Sequence, residues 1–262
     1  MKLFDSHCHL DDAVFQPDFD AVLARAAHNG VKAVLIAGVS EKTSRRAVEL
    51  AASHEGIFAS VGVHPHDAAG CSDETLAVLT ELAGDSRVRA WGEIGLDFNR
   101  MYSPASVQEH WLERQLEAAI NLRLPVIFHE RDSGGRLIEM LQGCHAQLPG
   151  AVVHCFSGTG AELRRYLDFG FHIGVTGIVT MQKRGAPLRE LVPAIPDDRL
   201  LIETDAPYLT PAPERNRRRR NEPAFVRHVL FRLAEVRGVD PESLARQVWR
   251  NTCRLFGIKA TA

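Results

Sequence analysis

Along the whole chain, short runs of apolar and β-branched residues alternate with longer runs whose apolar positions recur every three to four residues. That alternation is the pattern of repeated βα units laid on a parallel sheet. The short runs predict eight strands, near Leu3 to His9, Lys32 to Ala37, Phe58 to His64, Val88 to Glu93, Pro125 to His129, Ala151 to His154, His172 to Val175 and Leu200 to Asp205. The longer runs predict helices over Pro17 to Asn29, Glu41 to His54, Pro104 to Leu122 and Ser133 to Leu148, with a closing pair over Pro223 to Arg237 and Pro241 to Phe256. No Pro/Gly/Ser-rich linker and no internal repeat interrupts the alternation, so one domain over residues 1–262 is expected. Eight units in this length match a closed (β/α)8 TIM barrel. An open doubly wound sheet would usually carry a glycine-rich phosphate turn after its first strand, whereas this first strand ends in His-Cys-His.

Composition changes the picture little. The 262 residues are 45% hydrophobic and 24% charged with a net charge of -2, values of an ordinary soluble globular protein. Any affinity for phosphate must therefore come from a local basic patch. The opening MKLFDSHCHL turns polar early and no segment approaches the length of a membrane span, so a cytoplasmic protein with no membrane partner is expected, a monomer by default. Cys8, Cys71, Cys144, Cys155 and Cys253 include no C-x-x-C pair and read as reduced thiols.

Candidate chemistry gathers where the strands end. Side chains alternate along a strand, so His7 and His9 face one side with Cys8 turned away, and both imidazoles can reach one ion. Asp5 shares that face and is placed to orient a ligand. Glu93 in AWGEIGLD, His129 in VIFHERDS, His154 in VVHCFSG and Asp205 in LLIETDAPYL each follow an apolar run. Taken singly, each is as well explained by a buried histidine or a capping acid. In a (β/α)8 barrel, however, the strand ends converge on one rim. Four histidines and two carboxylates exceed the roughly three protein ligands of a single catalytic ion. Two divalent ions are therefore expected, with Glu93 bridging, His7, His9 and Asp205 on one, and His129 and His154 on the other. Ions spaced about 3.5 to 4 Å apart suit hydrolysis of a phosphodiester, with Asp205 taking the proton of the attacking water. Histidine-rich sites bind Zn2+, Mn2+ or Co2+ more tightly than Mg2+, so the donor set leaves the metal open.

Substrate contacts are expected at His64 in GVHPHD, as a donor to a phosphate oxygen, and at Glu203, which a strand would place on the same face as Asp205. His66 stays open between a structural and a functional role. In PAPERNRRRRNE, five arginines fall within the six residues from Arg215 to Arg220. A solvated loop is the plainer reading of such a run; after the last strand of a metal-bearing barrel it becomes a phosphate-binding loop, with Arg218, Arg219 and Arg220 as candidates. Arg131 in HERDS is a further one.

In this order and at these intervals, DSHCHL, GVHPHD, GEIGLDFNR, FHERDS, HCFSGT, IETDAPYL and RRNEP resemble the TatD family of metal-dependent nucleases, in the amidohydrolase superfamily, over nearly the whole chain. The resemblance implies a barrel hydrolase acting on DNA as a 3'-5' exodeoxyribonuclease with magnesium as activator; whether RNA is also a substrate stays open. It implies metal ligands at His7, His9, Glu93, His129, His154 and Asp205, catalytic roles for Asp205, Glu93 and His64, and His64 near the scissile phosphate. Some members replace the first H-x-H; here His7 and His9 are intact, which favours occupancy of both metal positions. Two other readings use the same residues: hydrolysis of an ester or amide, as by an aminoacyl-tRNA deacylase, and a non-catalytic nucleic-acid scaffold with structural metals.

Overall fold

The structure, a computed structural model, describes residues 1–218 and 220–259. Its eight strands follow one another in chain order in one sheet, the (β/α)8 barrel topology that the sequence pattern predicts. They are β1 (Leu3–Cys8), β2 (Val31–Ile36), β3 (Ile57–Val61), β4 (Val88–Asp97), β5 (Val126–Arg131), β6 (Ala151–Val153), β7 (His172–Val175) and β8 (Leu200–Ile202). The helices are α1 (Phe19–His28), α2 (Glu41–Ser53), α3 (Asp73–Leu82), α4 (Ala105–Leu122), α5 (Arg136–Leu141), α6 (Gly160–Asp168), α7 (Ala186–Leu191), α8 (Ala212–Arg215), α9 (Val226–Arg237) and α10 (Pro241–Leu255). Among the described residues, no helix is long and apolar enough to cross a membrane.

Several strand boundaries differ from expectation in ways that bear on the site. β3 stops at Val61 and β8 at Ile202, so His64, Glu203 and Asp205 lie beyond their strands and strand alternation does not orient them. β4 runs four residues further than expected, because Ile94 to Asp97 pair with Phe128 to Arg131 of β5. Gly92 and Gly95 dilute the strand signal there, yet the close pairing requires them. A Cβ on Gly95 would meet the His129 carbonyl oxygen at 1.9 Å, and one on Gly92 would meet that of Ile127 at 2.4 Å. The single helix expected over Ser133 to Leu148 is instead α5 and a 3-10 turn, His145–Gln147. Gly134 and Gly135 take left-handed backbone, φ 63° and 91°, which delays the helix.

The chain packs as two compact units. One comprises Met1–Ile36 and the chain from Ile173 onward. In its core Phe4 of β1 packs on Trp249 and Phe256, ring centroids 5.8 and 6.5 Å away. The buried Asn251 amide of α10 donates to the carbonyls of Asp197 and Leu200, fixing the entry to β8. The other unit, Ala37–His172, is built on Trp91, Ile94, Leu96 and Phe128 of its strands and Leu112 and Leu116 of α4, all buried.

Candidate metal centre

In the first unit His7, His9 and Asp205 come together. Asp205 Oδ1 lies 3.3 Å from His9 Nε2 and 3.8 Å from His7 Nε2. The Asp205 N–H donates to the His7 carbonyl at 2.9 Å, and the His9 N–H donates to the Ala206 carbonyl at 2.7 Å. These main-chain bonds, rather than strand alternation, set the carboxylate against the histidines. Asp205 takes φ 58°, a left-handed conformation that Asp tolerates better than most residues.

Asp5, expected to orient a ligand, is bonded to the residue that precedes Asp205. Its two carboxyl oxygens hold the Thr204 N–H at 2.8 Å and the Thr204 hydroxyl at 2.5 Å, which pins the segment leading to Asp205. Burial pushes its carboxyl up to about 8, against the pull of the Thr204 bonds. Glu203 is buried, with the Ser6 hydroxyl 3.4 Å away, and it fits because residue 174 is glycine: a Cβ there would stand 2.6 Å from Glu203 Oε2.

In the second unit one carboxylate oxygen gathers three imidazoles. Glu93 Oε1 lies 2.7 Å from His129 Nδ1, 3.5 Å from His64 Nε2 and 3.8 Å from His154 Nε2. Asp97, which the sequence reading passed over, adds a second carboxylate. Its Oδ2 is 2.6 Å from His66 Nε2 and 3.3 Å from His129 Nε2, and its Oδ1 accepts from the N–H groups of Asn99 and Arg100. Although burial disfavours its charge, His129 is raised to about 9 by Asp97 and Glu93. Asp97, also in spite of burial, is held well below the usual carboxylate range by His129, the Arg100 N–H and His66. Burial, and then His129, drive His64 down to about 4. Its imidazole is therefore neutral at pH 7, and because Nδ1 accepts from the His66 N–H at 3.0 Å, the remaining proton sits on Nε2.

Both sets suit divalent ions. Donors about 2.1 Å from one ion stand about 3.0 to 3.4 Å apart at octahedral or tetrahedral angles. Of the two nitrogen-to-oxygen separations at Asp205, 3.3 Å falls within that spacing and 3.8 Å lies somewhat beyond it, too long for a hydrogen bond. Mixed imidazole and carboxylate donors at the ends of barrel strands are also the chemistry of catalytic zinc, manganese and magnesium sites.

Two buried glutamines of α4, seven residues apart and so on one helix face, hold this unit's site backbone. Gln115 accepts from the Val63 N–H at 2.7 Å and donates to the Val63 carbonyl at 3.0 Å, immediately before His64. Gln108 does the same for Asp97, at 2.8 and 3.1 Å, and also donates to the Ser103 carbonyl at 2.7 Å. Gln108→Leu keeps most of the volume but strands an N–H and two carbonyls. We expect it to lower stability by about 2 to 4 kcal/mol in urea denaturation. A change below about 0.5 kcal/mol would refute this account of α4.

The arginine run divides. Arg220 places two donors on the Asp18 carboxylate, both at 2.8 Å, and one on the Val14 carbonyl, and its guanidinium lies 4.6 Å from the Phe15 ring centroid. Expected as a phosphate contact, it serves instead as a clasp, since a bidentate carboxylate takes the donors a phosphate would use. Those bonds are also the main cause that lowers Asp18 to about 2. Arg25 joins Asp18 to the buried Glu222, and the Asn221 amide donates to the carbonyls of Thr204 and Tyr208. Arg217 and Arg218 are exposed, and Arg219 lies outside the described residues. Arg131 is half-buried at the end of β5. Asp97, Gln108, Gln115 and Asn221 are the residues sequence reading missed; the one available signal was Asp97, four residues after Glu93 within a single motif.

Residues 4–257 match the family model described as TatD related DNase. A protein of Cronobacter sakazakii named 3'-5' ssDNA/RNA exonuclease TatD is 45% identical over 257 residues, covering 97% of each chain. One of Erwinia billingiae with the same name is 45% identical over 261 residues, covering 98% of this chain and all of its own. Among solved structures, a TatD homologue from Escherichia coli K12 aligns with a TM-score of 0.91 at 32% identity over 98% of both chains. A TatD family hydrolase from Entamoeba histolytica aligns with a TM-score of 0.88 at 25% identity, again over 98% of both.

Proposed function

The chain belongs to the TatD related DNase family, and from that premise we propose that it is a metal-dependent 3'-5' exonuclease acting on single-stranded DNA and RNA. The observation that carries the reading is the pair of donor sets: two histidines on the Asp205 carboxylate, and His64, His129 and His154 on Glu93. We assign His7, His9, Asp205, Glu93, His129 and His154 to two divalent ions, with Mg2+ as activator and Mn2+, Zn2+ or Co2+ as alternatives. Such ions, when bound, supply charge neutralisation at the phosphodiester and make the attacking water more acidic.

The protein's own groups do the rest. Asp205 accepts the water's proton. Neutral His64 donates from Nε2 to a phosphate oxygen, a role its Nδ1 acceptor bond prepares. Glu203 orients substrate or solvent from its buried position, and Arg131, Arg217 and Arg218 attract the phosphate backbone. The relatives are named as nucleases, which speaks against an ester or amide substrate.

The test is nucleotide release from single-stranded oligonucleotides labelled at either end, with Mg2+ or Mn2+ added to chelator-treated protein. We expect release to start at the 3' end, to stop on chelation and to return with metal. No release under any metal would sink the reading. Release beginning at the 5' end would overturn its direction.

A further inference from the structure

One large side chain beside the second donor set is explained by neither core packing nor metal ligation. Tyr102 is 66% exposed, yet its ring makes a T-shaped contact with His66 at 4.8 Å. His66 is bonded to Asp97, whose Oδ2 is 3.3 Å from His129 Nε2, so the tyrosine stands three contacts from a proposed metal ligand.

The backbone presenting it is fixed on both sides. Before it, the Asn99 and Arg100 N–H groups are bound to Asp97, and Met101 takes φ 52°, a left-handed conformation unusual for methionine. After it, Ser103 is fully buried: its hydroxyl donates to the His66 carbonyl and accepts from the Ala69 N–H, both at 2.9 Å, and its own carbonyl accepts from Gln108. A large aromatic ring held rigidly in solvent, on a frame built from residues of the site, is a preformed surface for a flat partner.

Building on the nuclease reading, we propose that Tyr102 is the stacking platform for an unpaired nucleobase of the substrate and gives the site its selectivity for single strands. A base inside a duplex has both faces covered by its neighbours, and a paired terminal base, though one face is free, is tied to its complement, so the ring favours a base free to leave the stack. Stacking on one aromatic ring contributes about 1 to 3 kcal/mol per base, which is about 5- to 150-fold in affinity. Tyrosine stacks on any base, so the platform selects strandedness without selecting sequence.

The experiment compares the native protein with Tyr102→Ala and Tyr102→Phe. It uses single-stranded oligonucleotides with an ordinary or an abasic 3'-terminal nucleotide, and reads both equilibrium binding by fluorescence anisotropy and hydrolysis. Tyr102→Ala is expected to weaken binding and raise KM at least 5-fold on the ordinary strand, with kcat changed far less. Tyr102→Phe keeps native values, and the alanine penalty disappears on the abasic terminus. Native-like binding and KM for Tyr102→Ala would overturn the proposal, as would an equal loss on both strands. The nuclease reading fails separately: native protein that binds in a Tyr102-dependent way but releases no nucleotide would refute hydrolysis and leave the platform standing.

Discussion

Glu93→Gln is expected to lower kcat/KM for nucleotide release by at least about 1000-fold, roughly 4 kcal/mol of transition-state stabilisation, with the fold intact. One oxygen of this carboxylate faces three imidazoles within 3.8 Å, so its charge organises the whole donor set of its unit. Glutamine preserves the shape of the side chain. It replaces an anion by a neutral amide that offers one weak donor oxygen, and a divalent ion loses most of its attraction to such a site. Two measurements separate this from general damage. The thermal transition of the variant should stay within a few degrees of the native one, and bound metal, counted after equilibrium dialysis, should fall by at least one ion per chain. A variant with native metal content and native activity would remove Glu93 from the centre altogether.

The sequence made the clustered histidines and carboxylates legible because each follows an apolar run, and barrel topology gathers the ends of strands without further information. Its limits appear at Asp205 and Asp97. Strand alternation would have faced Glu203 and Asp205 the same way, but β8 ends at Ile202 and the left-handed turn at Asp205 depends on long-range bonds to β1. Asp97 escaped notice because two glycines made β4 look shorter than it is. Their purpose, close approach to β5, exists only once the partner strand is present. Gln108 and Gln115 read as ordinary polar positions of an amphipathic helix; only their burial shows that they hold backbone rather than face water. The arginine run misled in the opposite direction. Five adjacent cations look equivalent in a sequence, and one of them is distinguished by a carboxylate about 200 residues away, at Asp18.

Asp205→Asn should lower kcat by about 100- to 10,000-fold, the range for loss of a group that moves a proton in the transition state. The substitution is informative because asparagine shares with aspartate a tolerance of left-handed backbone, so φ 58° and the Asp205-to-His7 main-chain bond survive while the charge is lost. Alanine at the same position would add backbone strain to the chemical change and confound the two. On the proposed assignment, loss of one anionic donor would also weaken binding of an ion at His7 and His9, and raising the metal concentration would restore that occupancy by mass action. If Asp205 were a ligand and nothing more, excess Mn2+ would return kcat to near the native value. If it also accepts the water's proton, titration with Mn2+ restores metal content but leaves kcat depressed. We expect the second result, because main-chain bonds on both sides fix the backbone that presents the carboxylate, whether or not an ion is bound.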